Sequence, residues 1–315
     1  MKNRQEGRYK MSEEVKNRSE ILFIYDIRDG NPNGDPMDEN KPRIDEETGI
    51  NLVTDVRLKR TIRDYLHNFK GQEIFVREVV YDEAGHVQDG KMRASNFGND
   101  AKRILGECID IRLFGGVIPL KEDSITYTGP VQFKMGRSLH RVTMKHIKGT
   151  GAFASKEGSK QSTFREEDIL PYSLILFYGI INENAAKHTN LTEDDIKLLL
   201  DGIWNGTKSL ISRTKAGQVP RLLLKVNYCK ENYHIGDLDK MLRLTTEMHH
   251  ENIRGTEDLK VDISGLVMRL ASEKASIKDI EICADNRLNF CKDGADFSIN
   301  GLAEATGIAV KPIAF

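Results

Sequence analysis

The residues best suited to chemistry in this chain lie between Asp26 and Arg63. The run Asp26-Ile-Arg-Asp-Gly-Asn-Pro-Asn-Gly-Asp-Pro36 gathers carboxylates, asparagines and glycines into one turn cluster, and the cations Arg57, Lys59, Arg60 and Arg63 follow it. Three kinds of chemistry can be asked of this stretch. As a cation site, Asp29-x-Asn31-x-Asn33-Gly34 matches the first half of an EF-hand calcium loop, but the twelfth position is Asn40 where a bidentate glutamate is needed. Turn formation accounts for the same residue types, so no metal is assigned. As an acid–base site, Asp26 or Asp35 could act as a loop carboxylate. His140, His146, His188, His234, His249 and His250 are available bases, yet none falls in a catalytic motif, and no catalytic residue is assigned. Gly149-Thr-Gly151 lacks the lysine and spacing of a phosphate-binding P-loop, and no cofactor is expected. As an anion site, the stretch fits well: four cations follow a Gly/Asn loop, which is a pattern suited to a polyanion.

The elements that must position these residues are legible from periodicity. Ile21 to Tyr25 is a short apolar run bounded by the turn cluster and reads as a strand. Thr54 is a suitable N-cap for a helix in which Leu58, Ile62, Tyr65 and Leu66 form the apolar stripe, with Arg57, Lys59, Arg60 and Arg63 outside it. A second basic region runs from Lys134 to Arg165. Its cations, including Lys134, Arg137, Arg141, Lys145, Lys148 and Arg165, face Glu157 as the single acid, and its glycines make it a flexible excursion. Phe153 and Phe164 on such an arm are rings that can stack on or wedge between bases. Arg213 and Lys215 lie in a turn between a well-marked helix (Leu191 to Leu210, capped by Thr192) and a strand (Arg221 to Tyr228). Further expectations are strands at Glu73 to Tyr81, Ser124 to Lys134 (bent at Gly129-Pro130), Ile169 to Ile181, Val261 to Leu270 and Ile277 to Ile282. Helices are expected at Ala94 to Cys108 and Leu238 to Met248.

Composition sets outer bounds. With 315 residues the chain can bury a real core, in one large domain with insertions or in two modest domains, and its formal charge of −1 argues against a protein basic throughout. The cations are instead concentrated in the stretches above. Cys108, Cys229, Cys283 and Cys291 are widely spaced, with no zinc or disulfide pattern, which suits reduced thiols in the cytoplasm. No apolar run approaches membrane-spanning length. Met1 to Arg18 reads as a polar tail, loosely attached, and the region from about 229 to 315 is acidic.

Several of these pieces, in this order, resemble the CRISPR-associated backbone subunit of Cascade complexes, the Cas-seven superfamily, in its type I-B flavour. They are the run from Asp26 to Pro36, Lys41-Pro42-Arg43, Thr54-Asp-Val-Arg-Leu-Lys-Arg-Thr-Ile-Arg63, Asp110-Ile-Arg-Leu-Phe-Gly-Gly116, Thr128-Gly-Pro-Val-Gln132, Ile169-Leu-Pro-Tyr172 and Ser212-Arg-Thr-Lys-Ala-Gly-Gln-Val-Pro-Arg221. The resemblance implies an α+β fold, with an RRM-like (ferredoxin-like) palm over 19–315 and large insertions, one a thumb-like β-hairpin near 134–165. It implies a non-catalytic subunit that binds CRISPR RNA, polymerises along it as further copies of itself, and meets a target DNA strand through the guide and other Cascade subunits, with no membrane partner. Asn31, Asn33, Arg43, Arg57, Lys59, Arg60, Arg63, Lys134, Arg137, Arg141, Lys145, Lys148, Phe153, Phe164, Arg165, Arg213 and Lys215 are then the expected RNA contacts. An endoribonuclease acting on CRISPR-related RNA and a protein-only scaffold are the competing classes.

Overall fold

The computed structural model describes residues 13–120, 123–154 and 162–315, with side chains for all of these except 150–154 and 162–165. Strand β1 (Ser19–Gly30), the short β2 (Gly34–Asp35) and β3 (Lys41–Pro42), β4 (Ile50–Val53) and helix α1 (Asp55–Lys70) come first. A largely helical insertion follows: α2 (Gly90–Ser95), α3 (Ala101–Glu107) and α4 (Ile109–Phe114), closed by the ribbon β5 (Gly115–Pro119) and β6 (Ser124–Thr128). Next are β7 (Val131–Phe133), β8 (Gly136–Arg141), β9 (Lys145–Ala154), β10 (Ser162–Ile181), α5 (Glu183–Thr189), α6 (Glu193–Lys208) and β11 (Val219–Tyr228). The C-terminal region adds β12 (Arg243–Thr245), β13 (Lys260–Asp262), α7 (Ser264–Ser272), β14 (Ile277–Ala284), β15 (Phe290–Lys292), β16 (Ala295–Phe297), α8 (Leu302–Thr306) and β17 (Val310–Pro312). The fold is mixed α+β with several sheets.

β1 is a central strand of the main sheet, whose order is β17-β14-β11-β1-β10-β8-β4. It pairs antiparallel with β10, Phe23 opposite Phe177, and with β11, Leu22 opposite Leu224. Its apolar run is continuous because both faces of the sheet are covered. On one face Ile21, Phe23 and Tyr25 pack with Leu58 and Ile62 of α1 and Leu199 and Ile203 of α6. On the other, Leu22 and Ile24 pack with Leu266, Val267 and Leu270 of the C-terminal region. Helix α1 starts where Thr54 Oγ1 accepts the Arg57 N–H, and α6 carries a full capping box between Thr192 and Asp195. The two helices approach closely at Gly202, where a Cβ would lie 2.9 Å from Ile62.

Several expectations are corrected. Residues 13–18 are attached rather than loose: Val15 is buried, its N–H donates to Leu191 O at 3.0 Å, and Arg18 pairs with Glu183 at 2.8 Å. Residues 1–12 of the expected tail lie outside the described residues. Glu73 to Tyr81 is not a strand, because side chains take its backbone groups: Asp110 accepts the N–H groups of Phe75 and Val76, and Arg93 donates to the carbonyls of Ile74 and Phe75. Val261 to Leu270 is mostly the helix α7, since Leu266, Val267 and Leu270 have helical spacing. Leu238 to Met248 holds only a 3₁₀ turn at Leu238–Met241 and the short β12. Ala94 to Cys108 spans the end of α2 and all of α3. The strand expected at Ser124 to Lys134 breaks at Gly129-Pro130 into β6 and β7. The basic segment divides as well. β8 belongs to the main sheet, with Ser138 opposite Ile175, and only from Lys145 does β9 form a separate ladder with the first part of β10.

His140 on β8 is buried, stacks on Tyr172, donates Nδ1–H to Arg141 O at 2.9 Å and accepts the Leu174 N–H on Nε2 at 3.3 Å. Burial above all lowers its pKa to about 4. The unfolded chain takes up a proton below about pH 6.5 that the folded one refuses until near 4, so stability present above 6.5 is lost on acidification. Between pH 7 and pH 5 this amounts to about 2 kcal/mol. Urea unfolding at the two pH values should show a smaller loss in His140→Gln than in the wild type; equal losses would assign the pH dependence elsewhere.

Candidate nucleic-acid interface

The site is assembled at the end of the sheet where β1 runs out. Past Gly30 the chain turns under the loop 212–218: the Asn31 N–H donates to Thr214 O at 2.7 Å, and a Cβ at Gly30 would lie 2.7 Å from the same oxygen. Asn31 Nδ2 donates to Asn40 O at 2.7 Å, closing the turn that joins β2 and β3. Asn33 Oδ1 accepts both the N–H (2.8 Å) and the hydroxyl (2.9 Å) of Thr54, so it fixes the residue that caps α1. Arg43 pairs with Asp35 at 2.8 Å. Asn31 and Asn33 therefore act as framework, the turn-forming role of such residues, and the start of α1 is anchored to the loop.

Inside that framework sit two cations without an ion-pair partner among the described residues. Arg57 donates to Thr61 Oγ1 at 3.0 Å, and its Nε is buried without a partner. Burial pushes its pKa below the ordinary guanidinium value. Lys215, half-buried and free of any carboxylate among the described residues, is lowered by burial first and by the charge of Arg57 second. Gln218 Nε2 and Asn31 Oδ1 nearby are also buried without partners. Two like charges, partly stripped of water and lacking a counterion, form an arrangement that an anion would relieve. Gln218 escaped the sequence reading because a single glutamine at a loop end carries no signal; its distinction is the missing partner.

The remaining candidates are dispersed. Lys59 reaches Asp55 (3.1 Å) and Gln132 (2.9 Å), and Arg60 pairs with Asp64 at 2.7 Å. Arg63 lies against the Phe114 ring and pairs with fully buried Asp110 at 3.0 Å. The expectation that Lys59 and Arg63 stand free of the packing is thus corrected: both are largely covered, because the insertion packs over this side of α1. Arg213 pairs with Glu167 at 2.9 Å. Lys134 pairs with Asp237 at 2.7 Å and sits over the Tyr178 ring, towards the opposite end of β10 from Ile169. Arg137, Arg141 and Lys148 are exposed, with looser partners in Asp45 (3.7 Å), Glu251 (3.9 Å) and Glu166 (3.1 Å). Lys145 is exposed and has no partner among the described residues. Phe153, Phe164 and Arg165 fall on β9 and β10, but their side chains lie outside the described residues.

The carboxylates weighed for catalysis are occupied. Asp26 is buried, accepts the Tyr172 hydroxyl and pairs with Arg221, each at 2.9 Å. Burial raises its pKa against the pull of Arg221. Asp35 holds Arg43 and accepts the Met37 N–H. His146 leans on Asp168 at 3.0 Å. Among the described residues no group of three His, Cys, Asp or Glu is placed to hold a metal ion, and no helix is long and apolar enough to cross a membrane.

Known proteins similar to this chain bear on its family and fold. Residues 17–264 match the family model described as CRISPR-associated protein Cas7. A CRISPR-associated protein Cas7 of Haloferax volcanii is 34% identical over 302 residues, covering 86% of this chain and 88% of the relative. A chain of a solved CRISPR RNA-guided surveillance complex, pre-nicking, superposes with a TM-score of 0.55 at 12% identity, covering 91% of this chain and 98% of that one. A second, from a CRISPR RNA-guided surveillance complex, gives 0.51 at 14% identity, covering 91% and 97%. At such identities these two likenesses speak for the fold.

Proposed function

Because this chain belongs to the CRISPR-associated protein Cas7 family, we propose that it is a non-catalytic backbone subunit that binds CRISPR RNA in several copies within a type I Cascade surveillance complex for antiviral defence. The observation that carries this reading is that Arg57 and Lys215 are each partly stripped of water and that neither has an ion-pair partner among the described residues, with Arg57 Nε buried and unpartnered. A phosphate of the RNA backbone supplies the missing charge, and phosphate contacts are indifferent to sequence, as a guide of variable sequence requires. Exposed Lys145, Lys148, Arg137 and Arg141 extend the positive path towards the hairpin.

The palm is read as RRM-like on topology. β1, α1, β8, β10, α6 and β11 follow one another, and β11-β1-β10-β8 are neighbours in the sheet, the split arrangement of a βαββαβ unit. In this chain the C-terminal region covers the face opposite α1 and α6, so RNA meets the end and edge of the sheet rather than its open face. The β9–β10 hairpin is read as the thumb, the target DNA strand pairs with the guide rather than with the protein, other Cascade subunits complete the complex, and the compartment is the cytoplasm.

The test is binding of the purified chain to labelled repeat and spacer RNAs, with and without magnesium. Binding without cleavage supports the reading, whereas cleavage would assign an endoribonuclease. Arg57→Ala with Lys215→Ala should lower affinity for single-stranded RNA of any sequence at least tenfold. It should also make the salt dependence shallower by roughly 1 to 1.5 in log–log slope. Thermal stability should hold or rise, because two desolvated like charges are removed. Unchanged affinity in the double variant would take the RNA away from this site.

A further inference from the structure

Behind the first turn of α1 lies a cavity of about 10 Å³, bounded by that helix, β1 and the end of α6. This is about the room that one water-sized particle needs. Val53 and Leu58, members of the main core, close it with apolar groups. Arg57 and Gln218 line it as well, and each holds a buried nitrogen without a partner, Nε in the first and Nε2 in the second. Gln218 is only 4% exposed, so bulk water does not serve that amide. Tyr25 and Thr207 are buried in the same wall, and each hydroxyl carries a hydrogen that can turn inwards. Thr61 Oγ1 is already committed: it accepts from Arg57 Nη2 at 3.0 Å and donates to Arg57 O at 3.1 Å. Among the described residues no carboxylate lines the cavity, and Lys215 stands three positions before Gln218 in the chain.

The wall therefore gathers N–H and O–H donors around a guanidinium. A water molecule there accepts some of these hydrogens but leaves the positive charge as it was, whereas a monatomic anion accepts from all of them and offsets that charge. Phosphate and sulfate, each with four oxygens on a central atom, exceed the space. We infer that this cavity is a binding site for a single halide ion, chloride in the cell, held by Arg57 Nε and Gln218 Nε2 with the hydroxyls of Tyr25 and Thr207 completing its shell. Chloride is a little larger than water, and the Gln218 amide, tied by no hydrogen bond through Nε2, is able to give the difference. The inference goes beyond the RNA reading and does not rest on it. Arg57 is half-buried, so it can serve a phosphate on its open side and a halide on its covered one.

The test is thermal unfolding of the full-length, RNA-free protein at constant ionic strength, as sodium chloride replaces sodium gluconate, whose anion is too large for the cavity. The wild-type midpoint should rise by roughly 2 °C or more and level off as the site fills, with bromide acting alike. Gln218→Glu supplies the negative charge from the chain itself, so in gluconate it should unfold at a higher temperature than the wild type and gain nothing from chloride. Gln218→Met removes the amide and should also lose the chloride response. Crystals grown with bromide in place of chloride should show an anomalous peak between Arg57 and Gln218. A chloride response equal in the wild type and both variants overturns the inference, as does a wild type with no saturable response or a cavity that holds water in the bromide-grown crystals. If Gln218→Met fails to fold, Gln218→Glu and the bromide crystals decide. RNA is absent from every measurement, so failure here leaves the proposed function standing, and a chain that binds no RNA leaves the halide site standing.

Discussion

Replacing Arg63 by alanine is expected to cost about 3–5 kcal/mol of folding stability while leaving the RNA affinity of the folded fraction unchanged. Asp110 opposite it is 0% exposed. It already accepts two backbone N–H groups, at 2.7 and 3.1 Å, and those bonds hold the segment after α1 in place. Removing the guanidinium strands a buried carboxylate and removes the ring contact with Phe114, so α1, α4 and the start of the insertion loosen together. The loss belongs at the lower end of the range because the two amides still offset part of the charge. Adding Asp110→Asn should recover part of it. Chemical denaturation and binding to a short RNA, measured on the same preparations, check the claim. A stable variant whose RNA affinity drops tenfold would show that Arg63 turns towards the ligand after all.

Glu20→Ala is the second large effect, expected at about 4 kcal/mol or more. Glu20 is fully buried on β1 and accepts four hydrogen bonds: the hydroxyls of Tyr178 and Tyr228, and the N–H groups of Ile235 and Gly236, the last two at 3.0 Å. Each buried donor left without an acceptor costs about 1–3 kcal/mol. The four donors come from β10, β11 and the loop 229–237, so one carboxylate ties the C-terminal region to the middle of the sheet. Limited proteolysis should reveal the local nature of the defect, with earlier cutting between Cys229 and Asp239 in the variant than in the wild type. A variant as stable as the wild type would mean that water replaces the carboxylate at little cost.

Much of the framework was legible before any coordinates. The strand at Ile21, the helix capped by Thr54 and the helix capped by Thr192 follow from local spacing and capping chemistry, which tertiary context here reinforces. Segments whose backbone is satisfied from a distance were not legible. Val76, Val79 and Val80 have the composition of a strand, but Asp110 and Arg93 take the backbone groups at 74–76, and only a single bridge, Val80 to Val87, forms beyond them. The same limit governs the cations. Arg57 and Arg63 share one helix and are equal in type, yet one lacks a counterion among the described residues and the other has a buried carboxylate 47 residues away. Local pattern finds charged residues; only the folded chain shows which charges are already spent. The C-terminal region, which carries no recognisable motif, proves to be the second cover of the sheet.

The central position of β1 has a further consequence, for biosynthesis. Both of its neighbours are distant in the chain: Phe23 meets Phe177 and Leu22 meets Leu224. At roughly 5–20 residues per second, an N-terminal strand with a fully apolar run waits on the order of ten seconds or more after emerging from the ribosome before both partners have been made. Closure then spans loops of the length that slows folding. During that interval Ile21 to Tyr25 is an unpaired, uncharged β-segment of the kind that recruits other nascent strands. The polar residues ahead of it, up to Arg18, stand where flanking gatekeepers restrain such a segment. Trimming them would reduce the yield of folded protein as well as remove the contacts of Val15 and Arg18.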